Sequence, residues 1–326
     1  MTQRGGVAPP HAPDVHGPLR KLLGDFHVTG LFWYRIHRWG MSVLPNWAIS
    51  PVVNVFTAFF FVALRRIRRA IGSNLVPVLG ECGWWERQSR IWKTMWTFAW
   101  CLSERYRYLG GKDPAALVAE GEEIWNKTLE EGLGVLVVTA HIGHWEIGSR
   151  LGLTRSGRLV HVVREAELDP RAQEFIQGLF EDVAEDGYRV HFLEDSSLAA
   201  GVQLRAMLLQ GDIVAVQGDR PRSSGRTRVT DLFDRPFELP AGPAVLARVA
   251  GVPMLPIFVF REGRNRSRVV IRDAIRVEES GDSGEAVAAA LQQFVDDLEW
   301  AIRRRPYQWF CFRELWPDEG VEAAPE

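Results

Sequence analysis

The chain has 326 residues, a hydrophobic fraction of 46% and a formal net charge of −2. This length and composition suffice for a large α/β domain with additions, and they exclude a disordered or fibrous protein. A nucleic-acid-binding protein would be expected to carry a net basic domain, so the charge balance argues against that class.

The N-terminal region predicts a flexible tail followed by a candidate membrane anchor. Residues 1–18 are rich in glycine and proline, which is typical of a tail. From Trp47 to Leu64 the chain is mostly apolar, although Pro51 and Asn54 weaken it as a bilayer-spanning helix. Two interpretations remain open: a buried core helix, or an anchor that spans the bilayer or lies in its interface. We favour the anchor, with the rest of the chain on the cytoplasmic side of the inner membrane.

Two arginine clusters lie beside apolar and aromatic residues, at residues 65–69 and 303–305. Local basic clusters next to apolar segments are typical of proteins that bind an anionic membrane surface. We therefore expect a membrane lipid, and no nucleic acid, among the partners of this protein.

Residues 84–108 predict a helix with an aromatic stripe. Trp92, Trp96 and Trp100 recur every four residues and so share one face. Core packing explains such a stripe more often than lipid contact does. We predict that residues 19–108 form a helical membrane-associating region.

From residue 113 onward the pattern alternates between helices and strands. The predicted helices are 113–131, 145–153, 169–186, 197–210 and 284–304, and the predicted strands are 135–140, 159–163, 189–193, 213–217, 254–260 and 268–272. This alternation predicts an α/β fold with a central, mostly parallel or mixed sheet flanked by helices. We assign this domain to residues 109–316 and a tail to residues 317–326.

The sequence TAHIGHWEIG at residues 139–148 follows a buried strand and predicts a turn at its carboxyl end. In α/β sheets, ligands usually bind beyond the carboxyl ends of the strands. A histidine such as His141 can take a proton from an attacking alcohol, and a carboxylate such as Glu146 can orient the imidazole. No G-x-S-x-G motif accompanies the histidine, so a covalent acyl-enzyme is not indicated.

Two alternatives to a general base remain open at this turn. His141, His144 and Glu146 could ligate a metal ion, although their spacing is not H-E-x-x-H. The two histidines could also be structural. The corresponding classes of protein are a metal-dependent hydrolase and a non-catalytic lipid-binding protein.

Several blocks together resemble the lysophospholipid acyltransferase superfamily. The turn resembles its H-x4-D/E motif, here HX4E, and further blocks follow in the expected order between about residues 20 and 316. The match is specifically to its bacterial branch of late lipid A (lauroyl and myristoyl) acyltransferases and phosphatidylinositol mannoside acyltransferases. The other blocks are RRIRRAIGSNLVPVLG (65–80), VVRE (162–165), VAVQGDRP (214–221), the segment 237–263 and the segment 298–316.

The resemblance implies a membrane-lipid O-acyltransferase. Its acyl donor would be a thioester of acyl carrier protein or coenzyme A, with no other cofactor and no metal. By the same resemblance His141 is the catalytic base and Glu146 its orienting partner. Arg164 and Arg220 would bind anionic groups of the substrates, and Asp219 accompanies Arg220.

Three departures from the family pattern refine this expectation. His144 stands where Asn or Thr is commoner, which makes it a possible second polar contact to substrate. The segment GDRPRSSGRT replaces the E-G-T-R motif of glycerolipid acyltransferases, and the C-terminal FREL lacks a frequent histidine. We therefore expect a glycolipid acceptor, such as a lipid A precursor, rather than a glycerolipid precursor.

Overall fold

The structure is a computed structural model that describes residues 31–109, 116–146, 157–167, 169–181, 187–193, 198–220, 225–278 and 281–316. Its helices are α1 (Leu31–Val43), α2 (Asn46–Ala63), α3 (Arg65–Asn74), α4 (Val76–Leu79), α5 (Trp84–Leu109), α6 (Glu122–Glu130), α7 (Pro170–Glu181), α8 (Leu198–Leu209), α9 (Gly242–Ala250) and α10 (Ser283–Arg304). The predicted tails, at residues 1–18 and 317–326, lie outside the described residues.

The strands form a seven-stranded mixed sheet and a separate two-stranded hairpin. The order in the sheet is β1-β9-β8-β2-β5-β3-β4; its neighbouring pairs are parallel, except for the antiparallel pair β8–β9. The strands are β1 (Ala116–Glu120), β2 (Val135–Thr139), β3 (Val160–Glu165), β4 (Tyr188–Leu193), β5 (Ile213–Gln217), β6 (Thr227–Leu232), β7 (Arg235–Pro240), β8 (Met254–Gly263) and β9 (Arg266–Ile271).

The prediction of an α/β fold with a mostly parallel or mixed sheet is confirmed. β2 lies in the centre of the sheet, with β5 and β8 as its parallel neighbours. Its side chains pack on both faces: Leu136 and Val138 belong to the core that includes α8, α9 and α10, whereas Val137 belongs to the core that includes α6. A strand buried on both faces is expected to be a continuous run of apolar residues, as β2 is.

The N-terminal helices α1 to α5 form a layer beside the sheet, in which α2 packs along α5. The Trp96 side chain donates a hydrogen bond from Nε1 to Asn54 Oδ1 at 2.8 Å, and Trp100 is buried. Packing between helices therefore accounts for the tryptophan stripe. α2 is long and apolar enough to cross a membrane, and only 22% of it is buried. It fits a membrane-associated segment.

The predicted helix at 113–131 is wrong in its first part. Residues 116–120 form β1, which pairs in parallel with β9 at one edge of the sheet. Gly121 separates this strand from α6, because its φ is +88° and a Cβ there would lie 2.5 Å from Ile271 O. The pairing with β9 overrides a weak local preference, which explains the error.

The hairpin of β6 and β7 was not among the predicted strands. Its turn is formed by Phe233 and Asp234, whose φ angles are +55° and +57°. Such turns are usually recognised by Asn-Gly or Asp-Gly, and neither dipeptide is present here. The remaining predicted elements agree with the structure where it describes them; the predicted helix 145–153 lies mostly outside the described residues.

Candidate active site

The turn after β2 is held in place by backbone contacts on two sides. Gly143 has a φ of +53°, and a Cβ at this position would lie 2.2 Å from Val259 O. Its amide donates to Gln308 O at 3.0 Å, while Phe310 N donates to His141 O at 3.0 Å. The glycine between the two histidines is therefore required by both backbone conformation and close packing.

His141 is paired with Asp219, which lies two residues beyond the end of the neighbouring strand β5. The His141 Nδ1 and Asp219 Oδ1 atoms are 2.8 Å apart, and the His141 amide donates to Asp219 Oδ2 at 3.0 Å. Gly218 allows this approach, since a Cβ there would lie 2.6 Å from Val138 Cγ1 and 3.0 Å from the Phe294 ring. Because β2 and β5 are parallel, their carboxyl ends bring the two residues together.

The charge on Asp219 fixes the tautomer of His141. Burial opposes ionisation of this carboxyl, but the charge and hydrogen bonds of His141, together with Arg220, lower its pKa to about 2. An ionised carboxylate only accepts hydrogen bonds, so Nδ1 is the donor in this pair, and in the neutral ring the lone pair is on Nε2. The side chain of His141 is 18% exposed, whereas that of Asp219 is 2% exposed. Asp219, not Glu146, is thus the carboxylate on Nδ1, and the substrate-binding role expected for Asp219 stays a prediction.

Glu146 lies between two arginines. Its Oε2 accepts from Arg105 Nη1, and its Oε1 accepts from Arg164 Nη1 at 2.7 Å. Burial would raise the pKa of Glu146, but the two guanidinium groups outweigh this effect and lower it to about 2. Glu146 is therefore held in its ionised form between two cations, and it is Asp219 that contacts Nδ1 of His141.

His144 points into the interior instead of towards the open side of the turn. Its side chain is 2% exposed, its Nδ1 lies 2.6 Å from Ser267 Oγ, and its Nε2 lies 2.8 Å from Glu104 Oε2. Arg261 also donates to Glu104, from Nε at 2.8 Å and from Nη2 at 3.0 Å. Burial opposes ionisation of Glu104, yet the contacts with His144 and Arg261 lower its pKa. This position favours a scaffold role for His144 over the expected substrate contact.

The two arginines expected to bind substrate lie at the same edge of the sheet as His141. Arg164 is the second-last residue of β3, and its side chain is 25% exposed. Its Cζ atom lies over the Phe180 ring, 5.0 Å from the ring centroid. Arg220 follows Asp219 directly and donates from Nη2 to Phe310 O. Its Nε is buried and has no hydrogen-bond partner among the residues that the structure describes. Both side chains are thus placed near the candidate base.

The metal-binding alternative is not supported by the geometry. His141 is paired with Asp219, His144 with Glu104 and Ser267, and Glu146 with two arginines. In the part of the chain that the structure describes, no three His, Cys, Asp or Glu side chains converge as metal ligands would.

A large apolar cavity of about 330 Å³ lies within the N-terminal helical layer. Its walls come from α1, α2, α3 and α5, which includes Phe98, and from Phe312 of the C-terminal segment. Both of these rings contact Phe310, with ring centroids 5.2 and 6.3 Å apart. Phe310 in turn packs against Trp145 at 5.8 Å, and Trp145 lies 5.2 Å from the His141 ring. A continuous series of aromatic rings therefore connects the cavity with the candidate base.

Sequence reasoning missed three contributors to this site: Glu104 and Arg105 of α5, and the backbone of Phe310. Glu104 and Arg105 are buried charges within an aromatic helix, at 4% and 9% exposure. Charged residues are almost never this buried unless they are paired. The sequence SERYR (103–107) in a mostly aromatic helix therefore could have indicated buried ion pairs. The backbone role of Phe310 has no signal in the sequence.

Comparison with known proteins identifies the chain as a lipid acyltransferase. Residues 25–317 match the model of the bacterial lipid A biosynthesis acyltransferase family, and the chain belongs to this family. The chain is also 25% identical over 307 residues to phosphatidylinositol mannoside acyltransferase of Mycobacterium tuberculosis strain ATCC 25618 / H37Rv, covering 88% of this chain and 89% of that protein. The protein of that name from strain CDC 1551 / Oshkosh matches with the same identity and coverage.

Proposed function

We propose that this protein transfers a fatty acyl chain from an acyl thioester to a hydroxyl group of a glycolipid at the cytoplasmic face of the inner membrane, with His141 as the general base. The observation that carries the proposal is the His141–Asp219 pair at the carboxyl edge of the sheet. The established class, a lipid acyltransferase, follows from the family; the donor, the acceptor and the base are our proposal.

The proposed reaction is a direct transfer. Nε2 of His141 removes the proton of the lipid hydroxyl as its oxygen attacks the thioester carbonyl carbon. Collapse of the tetrahedral intermediate breaks the carbon–sulfur bond, and the imidazolium returns its proton to the departing thiolate. Asp219 keeps Nδ1 protonated and stabilises the imidazolium between these steps.

The apolar cavity is the proposed site of the acyl chain. It is enclosed almost entirely by apolar side chains, and its rings at Phe98 and Phe312 continue to the turn of His141 through Phe310. An acyl chain held there would bury apolar surface, which is the main source of affinity for such a ligand. Ala99 lines this cavity, so Ala99→Phe should shift donor preference towards shorter chains. Unchanged chain preference in this variant would place the acyl chain elsewhere.

The proposed acceptor is a lipid that carries a sugar. The family description specifies lipid A, and the names of the two relatives specify phosphatidylinositol mannoside. We propose that Arg164 and Arg220 contact phosphate groups on the acceptor or on the donor, because a guanidinium matches phosphate in a bidentate way. Among these acceptors a lipid A precursor remains the first choice.

Membrane association is proposed to occur with α2 lying in the interface. Trp47 is 80% exposed, and Val55, Phe59 and Val62 of α2 are also exposed, whereas Val53 and Thr57 on the other face are buried. α3 follows at once and exposes arginines to which anionic headgroups can bind. A spanning arrangement would separate α2 from α5, including the hydrogen bond between Asn54 and Trp96.

The decisive experiment is a direct transfer assay. Purified protein is incubated with labelled acyl-coenzyme A or labelled acyl carrier protein, together with a lipid A precursor, phosphatidylinositol mannoside or a lysoglycerolipid. The products are identified by mass spectrometry. We expect an ester of one of the two glycolipids, with thioester consumption that is lost in His141→Ala. The proposal fails if the lysoglycerolipid is the sole acceptor, or if the thioester is consumed at the same rate without His141.

A further inference from the structure

The last described segment of the chain, residues 306–316, lies across the turn of His141, and we call it the C-terminal strap. Trp309 forms an antiparallel bridge with Ile142, next to the bond from Phe310 N to His141 O. The other side of the same peptide segment is also used, because Phe310 O accepts from Arg220. Phe310 thus holds the backbone of the candidate base and the side chain of an adjacent cation at once.

The far end of the strap is fixed by one buried side chain, Asn74 at the end of α3. Its Nδ2 donates to Arg313 O at 2.7 Å and to Cys311 O at 3.3 Å, and its Oδ1 accepts from Leu315 N at 3.0 Å. Asn74 is 2% exposed. All three bonds join the N-terminal helical layer to the backbone of the strap.

With these three contacts, the side-chain amide of Asn74 fixes the position of the strap relative to α3. Asn is able to donate and to accept at the same time, so one side chain bonds the carbonyls of Cys311 and Arg313 and the amide of Leu315. Losing these bonds would favour displacement of residues 311–315, because the bonds join this segment to α3 and the Cys311 carbonyl is bonded in a buried position. Phe310 directly precedes these residues, so a displacement reaches His141 and Arg220 through the bonds of Phe310.

We propose that Asn74 is a positioning residue for the acyl transfer, acting through the C-terminal strap on His141 and Arg220. This inference rests on the proposed function. It gives a role to Asn74, which the preceding description of the fold and the candidate site did not include. It makes α3 a second element of the helical layer, beside α5, that connects to the turn of His141.

The test compares Asn74→Ala and Asn74→Asp with Ser73→Ala in the full-length protein. Ser73 is the matched control, because its hydroxyl donates to Ala70 O within α3. Small displacements of reacting groups can cost about 10²-fold in rate, so we expect kcat of Asn74→Ala to fall by about 10- to 10²-fold. KM for the acyl thioester should change less than kcat, since Phe312 is the one described residue of the strap that lines the cavity and the other lining residues belong to the helical layer.

Asn74→Asp adds a pH signature that a purely structural role would not produce. An ionised carboxylate would repel the Cys311 and Arg313 carbonyls, whereas the protonated form can donate to one of them. Burial raises the pKa of such a carboxyl. The ratio of its kcat to that of the wild type should therefore rise as the pH falls, while the ratio for Asn74→Ala should stay constant.

Hydrogen exchange provides a readout that does not depend on activity. In both Asn74 variants, peptides covering residues 140–146 and 309–316 should exchange faster than in the wild type and in Ser73→Ala. The inference is overturned if Asn74→Ala lowers the melting temperature but keeps the wild-type kcat per folded molecule and the wild-type exchange at 140–146. Failure of the wild type to transfer any acyl group would instead refute the proposed function, and the exchange result would still decide the inference.

Discussion

Asp219 and Glu146 are both buried beside the same turn, and both have a pKa lowered to about 2, yet their partners differ. Asp219 holds a histidine, whose second ring nitrogen remains able to exchange a proton. Glu146 holds Arg105 and Arg164, which do not titrate in the physiological range. The comparison teaches that two carboxylates with the same ionisation can have separate tasks: one prepares a base, and the other places cations.

The largest effect should come from removing the base itself. His141→Ala should lower the transfer rate by about 10²–10⁴-fold, the usual contribution of general-base catalysis. The acyl transfer assay measures it, and circular dichroism should show an intact fold. His144→Asn is the informative companion, because a metal site would make the two losses equal and would give stoichiometric metal in the wild type.

Asp219→Asn should be the next most severe change in rate. An amide can present its NH2 group to Nδ1 of His141, which favours the wrong tautomer and removes the charge that stabilises the imidazolium. We expect kcat to fall on the order of 10²-fold with little change in KM. If Asp219→Asn keeps wild-type kcat, the division of tasks between the two carboxylates is refuted.

Glu146→Gln should affect kcat less than Asp219→Asn, and stability more. The change leaves Arg105 and Arg164 without a compensating charge, which typically costs about 3–5 kcal/mol for a buried pair. Chemical denaturation measures the loss. Glu86→Gln is the control, since Glu86 is 60% exposed in its pair with Arg90 and such surface pairs contribute about 0–1 kcal/mol. A loss of kcat as large as that of Asp219→Asn would return the orienting role to Glu146.

The pH dependence of stability should show what the two carboxylates have in common. Their folded-state pKa values lie below those of the unfolded chain, about 3.9 for Asp and 4.3 for Glu. Their stabilising contribution is therefore complete above about pH 5 and is lost as the pH falls towards about 2. Denaturation of the wild type between pH 7 and 3 should show this loss, and Asp219→Asn and Glu146→Gln should each show a shallower one. Equal slopes in all three proteins would contradict it.

The sequence predicted His141, its turn and most of the strands because those features are local. It did not pair Asp219 with His141, because that pairing depends on β5 lying beside β2. The order of strands in a mixed sheet depends on long-range packing, so the local sequence pattern does not predict it. For the same reason β1 was taken for part of a helix, since its identity as a strand depends on β9.

The order of the strands in the sheet has a consequence for folding during synthesis on the ribosome. β1 pairs with β9, the last strand to be synthesised, and Phe310 closes the turn of His141 from beyond the final helix. Domains with many contacts between distant segments fold late and slowly. The nascent chain therefore holds its histidine in an unfinished pocket until nearly the whole sequence has emerged. A chain that ends before Phe310 cannot form the bond from Phe310 N to His141 O.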